Sequence, residues 1–282
     1  MEEVRGLADV VAQRREFLAA LADRPRSKPD LVAATDTSRS TVDRAISDLS
    51  ERGLVARDGN VYRPTYAGTR VLSIHEGYLG RLADVDRASD VLSDLPPDAD
   101  LDPALLDGAD VRTAEPHAQE YPIRPVVDVV ADAQCLGAVV PVVTPQYVDA
   151  IRAACEGAAT GGSEPSERAS GSERSERPAS HAADRGVDVD LVVTPAVAET
   201  LQRRHAESIR ICREAGLTLY ETEAAPPYAL WAADTGTETC AGAVVHSETG
   251  VTGAVLNDAD AAHEWARETV ERYRASATEL DL

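Results

Sequence analysis

The chain has 282 residues, 43% of them apolar, enough for two domains with separate cores. Its net charge of −21, from 49 acidic against 28 basic residues, repels a polyanion at long range. The opening MEEVRG has no apolar stretch and the longest apolar run, residues 136–143, is far short of a bilayer span, so the expectation is a cytoplasmic protein with no membrane segment.

Four cysteines, Cys135, Cys155, Cys212 and Cys240, stand apart with no CxxC, which implies neither a zinc site nor a disulfide framework and reads as reduced structural thiols. Of the 28 basic residues only Lys28 is lysine, an avoidance that resembles the proteins of salt-loving archaea, where a carboxylate surface keeps the chain hydrated. The acidity is uneven. Residues 1–75 carry 12 Lys plus Arg and 11 Asp plus Glu, a net of +1, while the remaining 16 basic and 38 acidic residues give −22.

Residues 4–21 predict a helix whose stripe of Leu7, Val10, Val11, Phe17, Leu18 and Leu21 closes a small helical core. Phe17, the only phenylalanine, is assigned to packing. Residues 27–35 predict a shorter helix, capped by Ser27 and turning Leu31 and Val32 inward, with a tight Asp36-Thr37 turn after it. The next helix, residues 39–52, places Val42, Ile46 and Leu49 three and four apart with Ala45 beside them, so Arg39, Ser40, Asp43, Arg44 and Ser47 face out. Ser38 caps it and Gly53 stops it. Residues 54–64 then read as two short strands around Asp58-Gly59-Asn60, the chemistry of a tight hairpin.

Helix, helix, hairpin is the order of a winged helix, and SRSTVDRAISDLSERGLV resembles the wording of winged helix-turn-helix repressors of the MarR and ArsR kind. The resemblance implies double-stranded DNA as partner. It assigns Ser38, Arg39, Ser40, Thr41 and Arg44 to the major groove, Ser27 and Lys28 to the backbone, and Arg57, Asn60 and Arg63 to wing contacts. In molar salt the Debye length falls to about 3 Å, so only contact-range charges count. Binding is then expected to lean on base-edge contacts of about 1 to 3 kcal/mol each and on short phosphate contacts.

Past the hairpin, Val71, Leu72, Ile74, Leu79, Leu82, Val85, Val91 and Leu92 recur at helical spacing up to residue 95, interrupted by Gly77 and Gly80. In winged-helix regulators such a helix leads out of the head and pairs with its twin, which implies a homodimer. Pro96-Pro97 ends it. Residues 102–108 read as one capped turn, a strand is expected near Val111, and residues 114–125, with three prolines, as irregular.

A short helix over 126–133 and an apolar strand over 135–143 follow, then a helix over 146–155 with Thr144 as cap and Pro145 at its first position. The phrase Val142-Val143-Thr144-Pro145 returns as Val192-Val193-Thr194-Pro195, so two strand-to-helix units point to an α/β domain. Between them residues 157–180 hold no Val, Leu, Ile or aromatic side chain and are expected to be a disordered insertion. A helix over 195–215, strands over 217–221, 228–233, 239–246 and 251–256, and a last helix after Asn257-Asp258 complete the chain.

This second half, with GLTLYETEAAPPYALWAAD, AGAVVHSETG and TGAVLNDADAAHEWARETVERY, resembles the effector domain of archaeal methanogenesis and filament-formation regulators of the FilR type. The resemblance implies a one-component transcription regulator, with sensor and DNA reader in one chain. A more distant similarity is to phospholipase D-like folds, but their His-x-Lys motif is missing: His246 is followed by Ser247 and Glu248, and no lysine stands outside the first domain. The six histidines show no metal-ligand spacing and no glycine loop cradles phosphate, so no cofactor, metal or enzymatic activity is expected.

For a small-molecule effector the candidate residues are Thr144, Thr194, Tyr228, Trp231, Asp234 and His246, at strand ends and helix starts. The threonines read equally as helix caps, and Trp231 as core. The fold class is therefore α/β, α+β over the whole chain. It comprises a winged helix-turn-helix over residues 1–66, a connecting and dimerisation helix over 67–95, and an α/β effector domain over 96–282. Two other readings of the last domain are a protein-interaction module without a small ligand and an enzyme of unknown type.

Overall fold

The computed structural model describes residues 1–115, 117–118, 121–160, 187–248 and 250–281, and the chain divides into two compact units, Met1–Ala83 and Asp84–Leu282. Among the described residues no helix is long and apolar enough to cross a membrane.

The first unit is built from α1 (Glu2–Asp23), α2 (Lys28–Thr35), α3 (Arg39–Glu51), the strands β1 (Val55–Asp58) and β2 (Val61–Pro64), and the opening turns of α4 (Tyr66–Leu92). Its core joins Val11, Phe17, Leu18 and Leu21 of α1 to Leu31 of α2 and to Val42, Ala45, Ile46 and Leu49 of α3. These are the predicted stripes, and Phe17 is among the buried side chains. β1 and β2 pair antiparallel with Asp58 opposite Val61, leaving a two-residue loop whose first member, Gly59, has φ 58°. A bridge between Arg26 and Tyr62, with Arg26 N–H donating to the Tyr62 carbonyl at 3.1 Å, adds the residue before α2 to this sheet.

Gly68 is required where α4 meets the hairpin. A Cβ there would lie 2.1 Å from the Leu54 carbonyl oxygen, so only a bare backbone passes.

The second unit is a mixed sheet covered on both faces, the α/β architecture expected. Its strands are β3 (Asp110–Thr113), β4 (Cys135–Val140), β5 (Asp188–Val193), β6 (Leu217–Glu221), β7 (Tyr228–Asp234), β8 (Thr239–Ser247), β9 (Gly250–Asn257) and β10 (Thr278–Glu279). They lie in the order β10-β6-β5-β4-β7-β8-β9-β3. β4, β5 and β6 run parallel, β7 is antiparallel to β4, and β7, β8, β9 and β3 continue as an antiparallel meander. The helices are α5 (Arg124–Ala131), α6 (Pro145–Thr160), α7 (Pro195–Arg204), α8 (Ala206–Ala215) and α9 (Asp260–Ser276).

One face of the sheet packs Leu136, Ala138, Leu191, Trp231 and Val244 against α5 to α8. The other packs Val139, Val192, Leu230 and Val255 against Ala262, Ala266 and Val270 of α9 and against Ala88 and Val91 at the end of α4. The helix predicted to run to residue 95 thus ends at Leu92, and its last turns belong to the second unit's core.

Further boundaries differ from the sequence reading. The strand expected over 135–143 stops at Val140, because Pro141 has no N–H to give the ladder. The helix after it continues to Thr160, so residues 157–160 of the expected disordered insertion are helical, while residues 161–180 lie outside the described residues. The helix expected over 195–215 is two helices, broken at His205 with φ −130° and ψ 19°. No proline or glycine stands there, and the two pieces bury different sets, Val197, Ala198 and Leu201 in α7 and Ile209 and Cys212 in α8. The short helix expected over 126–133 begins two residues earlier, after a 3-10 turn at Tyr121–Ile123 within the segment read as irregular.

Candidate nucleic-acid interface

The turn that aims α3 is set by three short-range devices. Ser27 and Asp30 form a capping box, the Ser27 N–H donating to the Asp30 carboxylate at 3.0 Å, and these bonds hold the Asp30 pKa below its ordinary value. α2 closes at Asp36 in the left-handed region (φ 48°), which a short polar side chain tolerates. Ser38 then opens α3 by accepting from the Thr41 N–H at 3.2 Å, with the Ser40 and Thr41 hydroxyls each 2.9 Å from its own.

The side chains assigned to the major groove therefore fall into two groups. Ser38, Ser40 and Thr41 form a hydroxyl cluster at the helix start, where the positive end of the helix dipole favours a phosphate. Arg39 and Arg44 lie exposed on the outward face with Asp43 and Ser47, away from the buried stripe.

Lys28 has a more particular place than its assignment to the backbone anticipated. Its ammonium sits 2.6 Å from the Asp43 carboxylate and 5.9 Å from the centre of the Tyr62 ring. The hydrogen bond from Lys28 lowers the Asp43 pKa. Arg57 lies 6.0 Å from the centre of the same ring, its Nε donating to the Gly59 carbonyl at 2.9 Å. Tyr62, a residue the sequence reading did not single out, thus gathers two cations between α2 and the hairpin. Asn60 and Arg63 are exposed on that hairpin. Alternation along β2 signals Tyr62 as inward, but nothing local signals that Lys28 would reach it.

The six effector candidates are not brought together. Thr194 caps α7 by accepting from the Val197 N–H at 3.4 Å. Tyr228 faces the layer of α9, and its hydroxyl donates to the Asp100 carbonyl. Asp234 stands at the other end of β7, where its carboxylate accepts from the Gly236 N–H at 2.7 Å. Strand alternation and strand direction make both departures: a residue three positions from Trp231 along β7 points the opposite way. Thr144, Trp231 and His246 remain, on or beside the face that carries α5 to α8.

Residues 1–88 match the family model of the HVO_A0261 N-terminal domain, and residues 175–276 match that of the methanogenesis regulatory protein FilR1, middle domain. No curated protein matches the sequence. Among solved structures, TrmBL2, described as an archaeal chromatin protein with a novel mode of DNA binding, aligns with a TM-score of 0.39 at 11% identity, over 98% of this chain and 93% of that one. An O-methyltransferase family protein from Burkholderia thailandensis aligns with a TM-score of 0.24 at 13% identity, over 78% of this chain and 64% of that one. Both likenesses are too distant to bear on function.

Proposed function

We propose that this chain, which joins an HVO_A0261 N-terminal domain to a FilR1 middle domain, is a transcription regulator that acts in the cytoplasm, binding specific double-stranded DNA as a homodimer and sensing a small molecule through its second unit. The observation that carries the reading is the outward face of α3: Arg39, Ser40 and Arg44 are exposed on a helix whose opposite face is wholly core, and whose start is braced by Ser38. Hydroxyls and guanidinium groups at a helix start are the chemistry that phosphates and guanine edges accept. The hairpin supplies Arg57, Asn60 and Arg63 as flanking contacts, and the local net charge of +1 spares this unit the repulsion carried by the rest.

Dimerisation is supported by α4. Ile74, Tyr78 and Leu82, four residues apart, are 66%, 57% and 49% exposed, a stripe that water covers poorly and a second α4 would cover well. Pairing of two such helices sets two heads about one DNA turn apart.

Footprinting on the chain's own promoter and on genomic fragments, in molar KCl, tests the reading. Discrete protected half-sites about one helical turn apart are expected, lost in the Arg39, Ser40, Arg44 triple alanine variant. Absence of protection on every fragment would move the winged helix to a protein-contact role. In the same buffer the Tyr78→Glu, Leu82→Glu double variant is expected to sediment as a monomer and to lose the paired pattern; a wild-type chain that sediments as a monomer removes the dimer from the proposal.

A further inference from the structure

Four side chains near the ends of β4 and β5 bury polar atoms that meet no hydrogen-bond partner among the described residues. They are Thr144 Oγ1, Tyr147 Oη, Trp231 Nε1 and both ring nitrogens of His246. Interiors pair such atoms almost without exception, so four orphaned residues at one end of one layer require a reason.

The topology gathers them. Ala138 of β4 lies opposite Trp231 of β7, which puts the indole on the face covered by α5 to α8. Thr144 immediately precedes α6, and Tyr147 follows it by about one turn. His246 is opposite Val251, whose side chain packs into the same core. Trp231, only 3% exposed, and Tyr147 line one cavity of about 40 Å³ with Val126, Val130 and Ala229. A second cavity of about 30 Å³ shares Val140, Tyr147, Ile151 and Leu191 with the first, so the phenol ring stands between the two.

The chemistry of the walls limits the occupant. No charged side chain lines either cavity, and an unpaired charge would be costly there. Trp231 Nε1 only donates, so it calls for an acceptor, while the Tyr147 hydroxyl can give or take. Burial holds the Tyr147 phenol well above its ordinary pKa and lowers that of His246, so neither is pressed to ionise.

We propose that this end of the second unit binds a small, uncharged, mainly apolar molecule carrying an acceptor oxygen, a ketone or lactone in chemical class. It lies between α6 and the sheet, with its oxygen accepting from both the Trp231 N–H and the Tyr147 hydroxyl. The inference deepens the sensor reading given above and rests on it.

The test follows the indole N–H resonances of the full-length protein in molar KCl. The chain has two tryptophans, so Trp265→Phe assigns the signals. Cyclohexanone and γ-valerolactone are the probes, with hexanoate and cyclohexylamine as charged counterparts. A saturable shift of the Trp231 signal with the neutral probes alone is expected, weakened about tenfold by Tyr147→Phe, the loss of roughly one hydrogen bond. A Trp231 signal that stays fixed until Trp265 also moves overturns the proposal, as does one that shows only exchange with ordered water. DNA footprinting on the same sample separates the two failures, because intact half-site protection with no shift leaves the DNA-binding reading standing.

Discussion

Arg44→Ala is expected to weaken binding at a specific site by about 1 to 3 kcal/mol, roughly five- to 150-fold, in fluorescence anisotropy with labelled duplex in molar KCl. With Arg39→Ala added the loss is expected to reach about 2 to 6 kcal/mol, if the two contacts are independent. The size follows from the medium. At a Debye length of about 3 Å the wider charge of the chain contributes little, so the removed contact is most of what its residue offered. Both side chains are exposed, and neither supplies the cap of α3, which comes from Ser38. The helix should therefore be unchanged by circular dichroism. Arg44→Lys separates the modes of contact: a planar fork reading a guanine edge is not restored by lysine, whereas a phosphate contact is. Unchanged affinity in the double variant would remove α3 from the interface.

Asn257→Leu is expected to cost about 3 kcal/mol in the second unit, read as a fall of about 6 to 12 °C in its thermal midpoint. Asn257 is 5% exposed at the end of β9, and its amide nitrogen lies 3.1 Å from the Leu105 carbonyl and 2.9 Å from that of Asp107. Its amide oxygen accepts from the Ala259 N–H at 2.9 Å, at the start of α9. Leucine keeps the volume but removes the bonds to the buried Leu105 carbonyl, to the part-buried Asp107 carbonyl and from the Ala259 N–H at the start of α9, and the loss at the buried carbonyl carries the full desolvation penalty. Both tryptophans, Trp231 and Trp265, lie in this unit, so their fluorescence reports its unfolding alone. A midpoint within about 2 °C of wild type, below 1 kcal/mol on the same scale, would mean that water replaces the lost bonds.

Much of the first unit was legible because its devices are local. Ser27 with Asp30, Ser38 with Thr41 and Gly59 in its loop each act within three residues, and the stripe of Val42, Ile46 and Leu49 repeats at helical period. The candidate contacts were legible to the same extent: the helical period says which side chains of α3 face out. The pairing of Lys28 with Asp43 and the approach of Lys28 to the Tyr62 ring were not, since they join residues far apart in sequence through the angle at which helices and hairpin meet, whereas Arg57 and Tyr62 are partners in the hairpin register.

In the second unit the sequence by itself determined that apolar strands alternate with helices, that Thr144-Pro145 and Thr194-Pro195 open two of those helices, and that the result is an α/β layer. Period and capping are short-range properties, and apolar runs declare burial whatever they are buried against. Tertiary structure alone decided that β3, the first strand of this unit, lies at the far edge beside β9, and that β4 sits between a parallel and an antiparallel neighbour. It also decided that Tyr228 and Trp231 of one strand face opposite layers, that Tyr147 joins Trp231 at a shared cavity, and that the helix is interrupted at His205. Strand order and layer are set by backbone pairing and burial between residues far apart in sequence, where each segment's preference is satisfied by many arrangements and only their joint packing selects one.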